Sequence, residues 1–218
     1  MEQSQYEISS RNYLGRAREC LAEGSSQSLF YAAFELRCGI ESRMSEYLEV
    51  WEHISKKKKK GWRIAEMGRN VEEAFKTGNK IVRWAVHDKS TNELIVCLYY
   101  TPVTSALKKS GEKLGNYLHS MKRHKVPSDH FWIKLRNDLE SAYEKLAIAN
   151  TGTLLGPPLM KSDTGQVDMR VELPNENQQQ NPLGPIMDTG IEIKVNLSYI
   201  SHLPKKLEKQ AHVWQHFS

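Results

Sequence analysis

The sequence predicts an α+β protein, because helix-like and strand-like hydrophobic patterns occupy separate stretches of the chain. Apolar residues recur every three or four positions through most of the first 150 residues, which is typical of amphipathic helices. Runs of β-branched and aromatic residues interrupt this pattern at 81–100 and return after the Gly- and Pro-rich stretch 152–158. We therefore predict a helical domain over 1–150 with a β-hairpin inserted at 80–101, and a β-rich subdomain ending in a helix over 151–218.

Three helices precede the hairpin. They are predicted over 5–21, 28–55 and 62–75. The second has the longest apolar stripe, so it must pack against several other helices. On its flank, Arg37 and Glu41 are spaced for an ion pair one turn apart, and Glu35 is either another surface ion or a group near a site. The hairpin strands at 81–86 and 94–100 are separated by more than two polar residues, which predicts a longer loop.

Two more helices flank the string Arg123-His124-Lys125-Val126-Pro127-Ser128-Asp129-His130. Thr104 or Ser105 caps the first, whose apolar side runs toward Arg123. On that helix His119 follows Leu118 on the apolar side and is interpreted as a packed or polar-edge histidine. Ser128 caps the second helix, and His130 falls in its first turn, away from the buried stripe.

The chain after residue 150 predicts short strands joined by polar loops. Val167 to Leu173 predicts a short strand, and Ile191 to Tyr199 predicts a strand with a buried apolar side and a polar side. The Gln- and Asn-rich loop 174–185 between them is too polar to enter a core and is suited to contact with a partner. A last helix starts at Pro204.

Arg123 and His130, with six residues between them, are the candidate catalytic pair. An arginine binds phosphate through two parallel hydrogen bonds, and a histidine exchanges a proton near neutral pH. Phosphodiester cleavage needs both functions, so the junction between the two helices predicts an RNA-cutting site.

These predicted helices, with R-x6-H at the junction, resemble the HEPN superfamily over residues 5–150. The family signature is an arginine and a histidine separated by four to six residues, often with a polar residue directly after the arginine, where His124 stands here. The resemblance implies a dimeric, metal-independent endoribonuclease without a cofactor, from a bacterial defence or toxin-antitoxin system. The partners it implies are RNA, a second copy of the chain, and a cognate antitoxin or defence-complex protein.

The resemblance also implies the mechanism, in which the ribose 2′-hydroxyl attacks the adjacent phosphorus and leaves a 2′,3′-cyclic phosphate. His130 would act as general base or acid, and Arg123 would stabilise the charge on the phosphoryl oxygens. His124, or His130 of a second copy, would serve the leaving group. DNA lacks the 2′-hydroxyl and should survive.

The charge distribution supports an alternative function. The chain has a net charge of +5 and a pI near 9.0, with its densest cationic run at Lys56, Lys57, Lys58, Lys59 and Lys60. Five consecutive lysines attract a phosphate backbone through counterion release, although a solvated helix end, where lysines complement the helix dipole, explains them equally. The alternative is therefore a nonenzymatic nucleic-acid- or protein-binding subunit of a defence complex.

A second alternative is a metal-dependent nuclease. Asp168 on one strand and Glu192-Ile193-Lys194 on another resemble the D…ExK arrangement of PD-(D/E)xK nucleases. The polar side of an amphipathic strand explains Glu192 and Lys194 without a metal. His212 and His216 have a zinc-like spacing but lack the glutamate of an HExxH motif, and are interpreted as a surface pair.

Composition predicts a cytoplasmic protein with no membrane association. Cys20, Cys38 and Cys97 are widely spaced and odd in number, which favours a reducing compartment over a disulfide framework. The start of the sequence lacks the apolar stretch of a signal peptide, and no run of eighteen apolar residues occurs. There is no Walker loop, GxGxxG or GxSxG, so nucleotide hydrolysis and esterase chemistry are not expected.

Overall fold

The computed structural model describes residues 7–61, 63–119, 130–160, 167–172 and 192–207, and in these ranges it is a mixed α+β fold, as predicted. The helices are α1 Ser10–Glu23, α2 Ser26–Glu49, α3 Lys56–Lys59, α4 Ile64–Phe75, α5 Ser105–His119 and α6 His130–Ala149. The strands are β1 Ile81–Asp88, β2 Leu94–Tyr100, β3 Leu159–Met160, β4 Val167–Asp168 and β5 Ile193–Ile200.

Helix α2 is the centre of the molecule and packs against α1, α4, α5 and α6. Leu36, Ile40 and Met44 on its apolar stripe are fully buried, which confirms the predicted multi-helix packing. The predicted end of α2 at Ser55 is wrong, because the helix stops at Glu49. Trp51 is nevertheless buried in the following turn, where its indole N–H donates to the carbonyl oxygen of Leu155 at 2.7 Å. Since the turn keeps the apolar residues inside, periodicity alone did not reveal the break.

Helices α5 and α6 pack against each other in opposite directions. Near the end of α5, the ring of Tyr117 lies 5.8 Å from that of Phe131 in the first turn of α6. One turn back on α5, the ammonium of Lys113 lies 2.7 Å from the carboxylate of Asp138, further along α6. The hydroxyl of Thr104 accepts the backbone N–H of Leu107, so Thr104 rather than Ser105 caps α5.

The main sheet is antiparallel, with strand order β2-β1-β5. The hairpin of β1 and β2 is confirmed, with a connection at 89–93 in which the Asp88 carboxylate accepts backbone N–H groups from Ser90 and Thr91. Because β5 pairs with β1 along its whole length, the sheet contains strands from both predicted domains. The division of the chain at residue 150 remains a prediction.

The apolar side of β5 is exposed, so the prediction that it is buried is wrong. Ile193, Val195, Leu197 and Tyr199 are all exposed. Both β2 and β5 are edge strands, but in the described structure the core cluster includes residues of β1 and β2 and none of β5, so β5 is the strand that the described helices leave uncovered.

The described residues 150–160 and 167–172 lie over one end of the helices, where they contact α1 and α2. Leu154 pairs with Val171, and β3 pairs with β4, so the strand predicted over 167–173 is limited to two residues and one isolated bridge. Gly156 has φ +132°, and a Cβ there would lie 2.7 Å from Nε1 of Trp51, so this close approach requires glycine.

Several predicted features lie outside the described residues: the loop 174–185, the last helix beyond Leu207, and His212 with His216. Among the helices of the described ranges, none is long and apolar enough to cross a membrane.

Candidate functional site at the α5–α6 end

His130 is exposed and is the first residue of α6. The two residues after it face inward: the Phe131 ring contacts Tyr117, and the Trp132 ring lies 5.6 Å from Phe30 on α2. These contacts anchor the start of the helix and leave the imidazole of His130 facing solvent. Arg123 and His124 lie outside the described residues, so their pairing with His130 remains a prediction.

His119 is the last described residue of α5 and is also exposed, which excludes a packed histidine and leaves the polar-edge interpretation. The apolar side of the helix includes Leu118, which packs against the core, but does not extend to His119. Because α5 and α6 run in opposite directions, His119 and His130 lie at the same end of the helix pair. The structure thus adds a second imidazole that the sequence patterns did not select.

A polar network lies beside this end, in the groove between the two helices. The hydroxyl of Tyr117 donates to Oδ2 of Asp138 at 2.5 Å, and the ammonium of Lys113 donates to Oδ1 at 2.8 Å. Burial raises the pKa of Tyr117, and its hydrogen bond to Asp138 raises it further. Burial would also raise the pKa of Asp138, but hydrogen bonds from Lys113 and Tyr117 lower it below its ordinary value. The network therefore holds a carboxylate between two donors and fixes the helices relative to each other.

The chain around this site is strongly cationic. Residues 113–136 contain six Lys or Arg side chains and one acidic side chain, Asp129. Lys134, which is exposed, lies one turn after His130, and no acidic residue occurs in the first two turns of α6. Lys113 and Arg136 pair with Asp138 and Glu140 just beyond this stretch, and the remaining excess of four cations over one acidic residue favours an anionic ligand at this end.

The five consecutive lysines lie elsewhere. Lys56–Lys59 form the single turn α3. The ammonium of Lys58 pairs with Glu73 at 2.8 Å, and that of Lys59 donates to the carbonyl oxygen of Glu49 at 2.9 Å. Lys56, Lys57 and Lys60 are exposed.

The lysine run and His130 are at opposite ends of α2. Phe30 near the start of α2 contacts Trp132 beside His130, whereas α3 follows the end of α2. Phe30 and Glu49 are 19 residues apart, which corresponds to about 30 Å of helix. One compact site therefore does not include both.

The residues of the metal-nuclease alternative belong to different sheets. Asp168 is on β4 and lies 3.5 Å from Arg170, whereas Glu192 precedes β5 and pairs with Lys89 at 2.7 Å. Across the described ranges, no group of three or more His, Cys, Asp and Glu side chains is arranged to hold a metal ion.

The densest polar cluster was not predicted from the sequence. Arg43 is fully buried, and its guanidinium contacts Glu46, Glu172 and the carbonyl oxygens of Ala149 and Gly152. The signal was available, because Arg43 falls on the apolar stripe of α2 rather than on its flank. Its donors and both carboxylates are engaged with one another, so we assign this cluster to folding rather than chemistry.

The predicted ion pair between Arg37 and Glu41 is confirmed at 3.0 Å. Glu35 pairs with Arg16 on α1 at 2.8 Å, and its side chain is mostly buried, so it forms an ion pair between two helices rather than the expected surface ion pair. No protein-family model, curated protein or solved structure matches this chain.

Proposed function

We propose that the protein is a metal-independent endoribonuclease of the HEPN type, with its site at the α5–α6 end. The observation that carries this proposal is the position of His130, an exposed imidazole at the start of α6 within the cationic stretch 113–136. RNA supplies the negative charge that this stretch attracts.

In the proposed reaction, the ribose 2′-oxygen forms a bond to phosphorus while the bond from phosphorus to the 5′-oxygen breaks. His130 takes the proton of the 2′-hydroxyl or gives a proton to the departing 5′-oxygen. Arg123 stabilises the charge that develops on the phosphoryl oxygens.

The second proton transfer needs a second group. His124 and His130 of a second copy are two candidates, and His119 is a third because it lies at the same end of the helix pair. The proposal therefore includes a homodimer as the working unit, in a bacterial defence or toxin-antitoxin system with a cognate antitoxin or complex partner.

A nonenzymatic nucleic-acid-binding subunit is the second candidate. It is favoured by the exposed lysines Lys56, Lys57 and Lys60. They are separated from the His130 end by about 30 Å along helix α2. A binding protein would use this surface and would not need His130.

Cleavage of matched RNA and DNA oligonucleotides in EDTA tests the proposal. The wild-type protein should cut RNA and leave DNA intact, because only RNA carries the attacking hydroxyl. Replacement of a single ribose by deoxyribose should abolish cleavage at that position. Cutting of DNA, or of the deoxyribose position, would contradict the mechanism.

A further inference from the structure

We propose that the apolar side of β5 is the docking surface for residues 208–218 of the same chain. This side consists of Ile193, Val195, Leu197 and Tyr199, which are 39, 44, 45 and 59% exposed. The proposal concerns packing within one chain and does not depend on the chemistry proposed for His130.

The exposed side chains continue a surface that the rest of the sheet buries. Opposite Val195, Leu197 and Tyr199 on β1 are Val86, Trp84 and Val82, and all three are buried in the core. Directly opposed residues of an antiparallel pair share one face of the sheet. Strand β5 therefore extends the core-facing side of the sheet by one strand, and the described helices do not cover this strand.

The chain that follows β5 is held at the end of this strand. The ammonium of Lys80 donates to the hydroxyl of Ser201 at 2.7 Å, and Leu203 is buried. Residues 205–207 are helical, and the backbone N–H of Leu207 donates to the carbonyl oxygen of Pro204 at 2.9 Å. Four residues, 201–204, thus separate the end of β5 from the start of a helical turn. A strand followed by a short connection and a helix usually packs that helix back onto its own sheet.

The sequence of the segment fits the surface. Leu207, Ala211 and Trp214 are spaced for one face of a helix, and charged or polar residues occupy most other positions. A helix from 205 to 217 is about 20 Å long. Ile193 to Tyr199 span about 20 Å of β5, so a helix of this length is long enough to cover them. Trp214 provides the largest apolar side chain of this face.

Hydrogen exchange of the full chain, followed by mass spectrometry, tests the proposal. Amides of 208–218 should exchange roughly tenfold or more slowly than those of a free peptide with the same sequence. Leu197→Asp should raise their exchange to the peptide rate, because it places a charge in the middle of the surface. Trp214→Asp should do the same while leaving β5 unchanged. Exchange of α2 in each variant verifies that the fold is intact.

Ile133→Asp is the matched control, since Ile133 is an apolar residue on α6 that is 59% exposed. This variant should leave the exchange of 208–218 at the wild-type rate. Peptide-like exchange of 208–218 in the wild type would overturn the proposal. So would a dimer in light scattering that Leu197→Asp dissociates, because a second copy would then occupy the surface.

Discussion

Arg43 on α2 and Glu172, 129 residues further along the chain, form an ion pair with 2.8 Å between Nη1 and Oε2. Arg43 is fully buried, and Glu172 also accepts two hydrogen bonds from Arg11 on α1, at 2.9 and 3.0 Å. The segment that ends at Glu172 is thereby attached to two helices. Removal of Glu172 would leave the buried guanidinium of Arg43 with Glu46 as its one remaining carboxylate partner among the described residues.

Glu172→Ala should therefore destabilise the protein strongly. Because Glu46 still pairs with Arg43, we expect a cost of about 1.5–3 kcal/mol of unfolding free energy, below the cost of about 3–5 kcal/mol for a buried charge left without any partner. The matched control is Glu192→Ala, which breaks the exposed pair with Lys89 and should cost at most about 1 kcal/mol. Denaturant unfolding of both variants measures the difference. Equal costs would show that the Arg43 cluster is not a folding anchor.

The same pair predicts how stability depends on pH. Burial opposes ionisation of Glu172, but hydrogen bonds from Arg11 and the charge of Arg43 lower its pKa below the ordinary value of 4.5. The folded pKa is lower than the unfolded pKa, so this contribution is complete above about pH 4.5 and is lost as pH falls through the folded value. Glu172→Gln should flatten the acid side of the stability curve. If the unfolding free energy of Glu172→Gln falls with decreasing pH as steeply as that of the wild type, the loss of stability in acid comes from other groups.

Two helical glycines should respond to alanine with opposite signs. A Cβ at Gly15 on α1 meets no atom within 4 Å, so Gly15→Ala should stabilise by about 0.5–1 kcal/mol through helix propensity. A Cβ at Gly39 on α2 would lie 2.8 Å from Leu146 and 3.1 Å from Tyr13, so Gly39→Ala should destabilise by about 1–3 kcal/mol. Thermal unfolding of the two variants measures the signs. Stabilisation by Gly39→Ala would contradict the tight packing of α2 against α1 and α6.

The exposed lysines predict a salt-dependent contribution to RNA binding. Replacement of Lys56, Lys57 and Lys60 by Gln should reduce the slope of log affinity against log salt by about 2, at roughly 0.7 per phosphate contact of a single strand. The control replaces the exposed Lys194, Lys205 and Lys206, which changes the net charge equally. Fluorescence anisotropy with a short RNA measures both slopes. Equal slopes would identify the lysine run as a solvated helix end.

Hydrophobic periodicity predicted which segments form helices and strands better than it predicted where they end and which of their side chains are buried. Leu36 and Ile40 are buried because a helix of strict period has one inner face, and the β1–β2 hairpin follows from its β-branched runs. The end of α2 was missed because Trp51 stays buried through a turn. The alternation in β5 correctly predicted a strand, but a local pattern does not reveal which strand of a sheet the helices leave uncovered.

At the candidate site, too, local patterns predicted the helix positions better than the surroundings of individual side chains. His130 was predicted at the start of a helix and is found there, exposed. His119 was interpreted as packed or at the polar edge, and the sequence did not decide between them, because one residue at a helix end determines whether a side chain faces the core or solvent. The Arg43–Glu172 pair joins residues distant in the sequence, and no local spacing indicates such a contact.

We propose that His130 transfers a proton during RNA cleavage without a metal. The most direct test is RNA cleavage in EDTA by the wild type, His130→Ala and His202→Ala, with analysis of the product ends. His202 is the control because it is exposed and follows β5, away from the start of α6. We expect 2′,3′-cyclic phosphate ends from the wild type and from His202→Ala. The RNA cleavage rate of His130→Ala should be at least about 100-fold lower than that of the wild type. Equal rates for wild type and His130→Ala, or no cleavage by any of the three proteins, would contradict it.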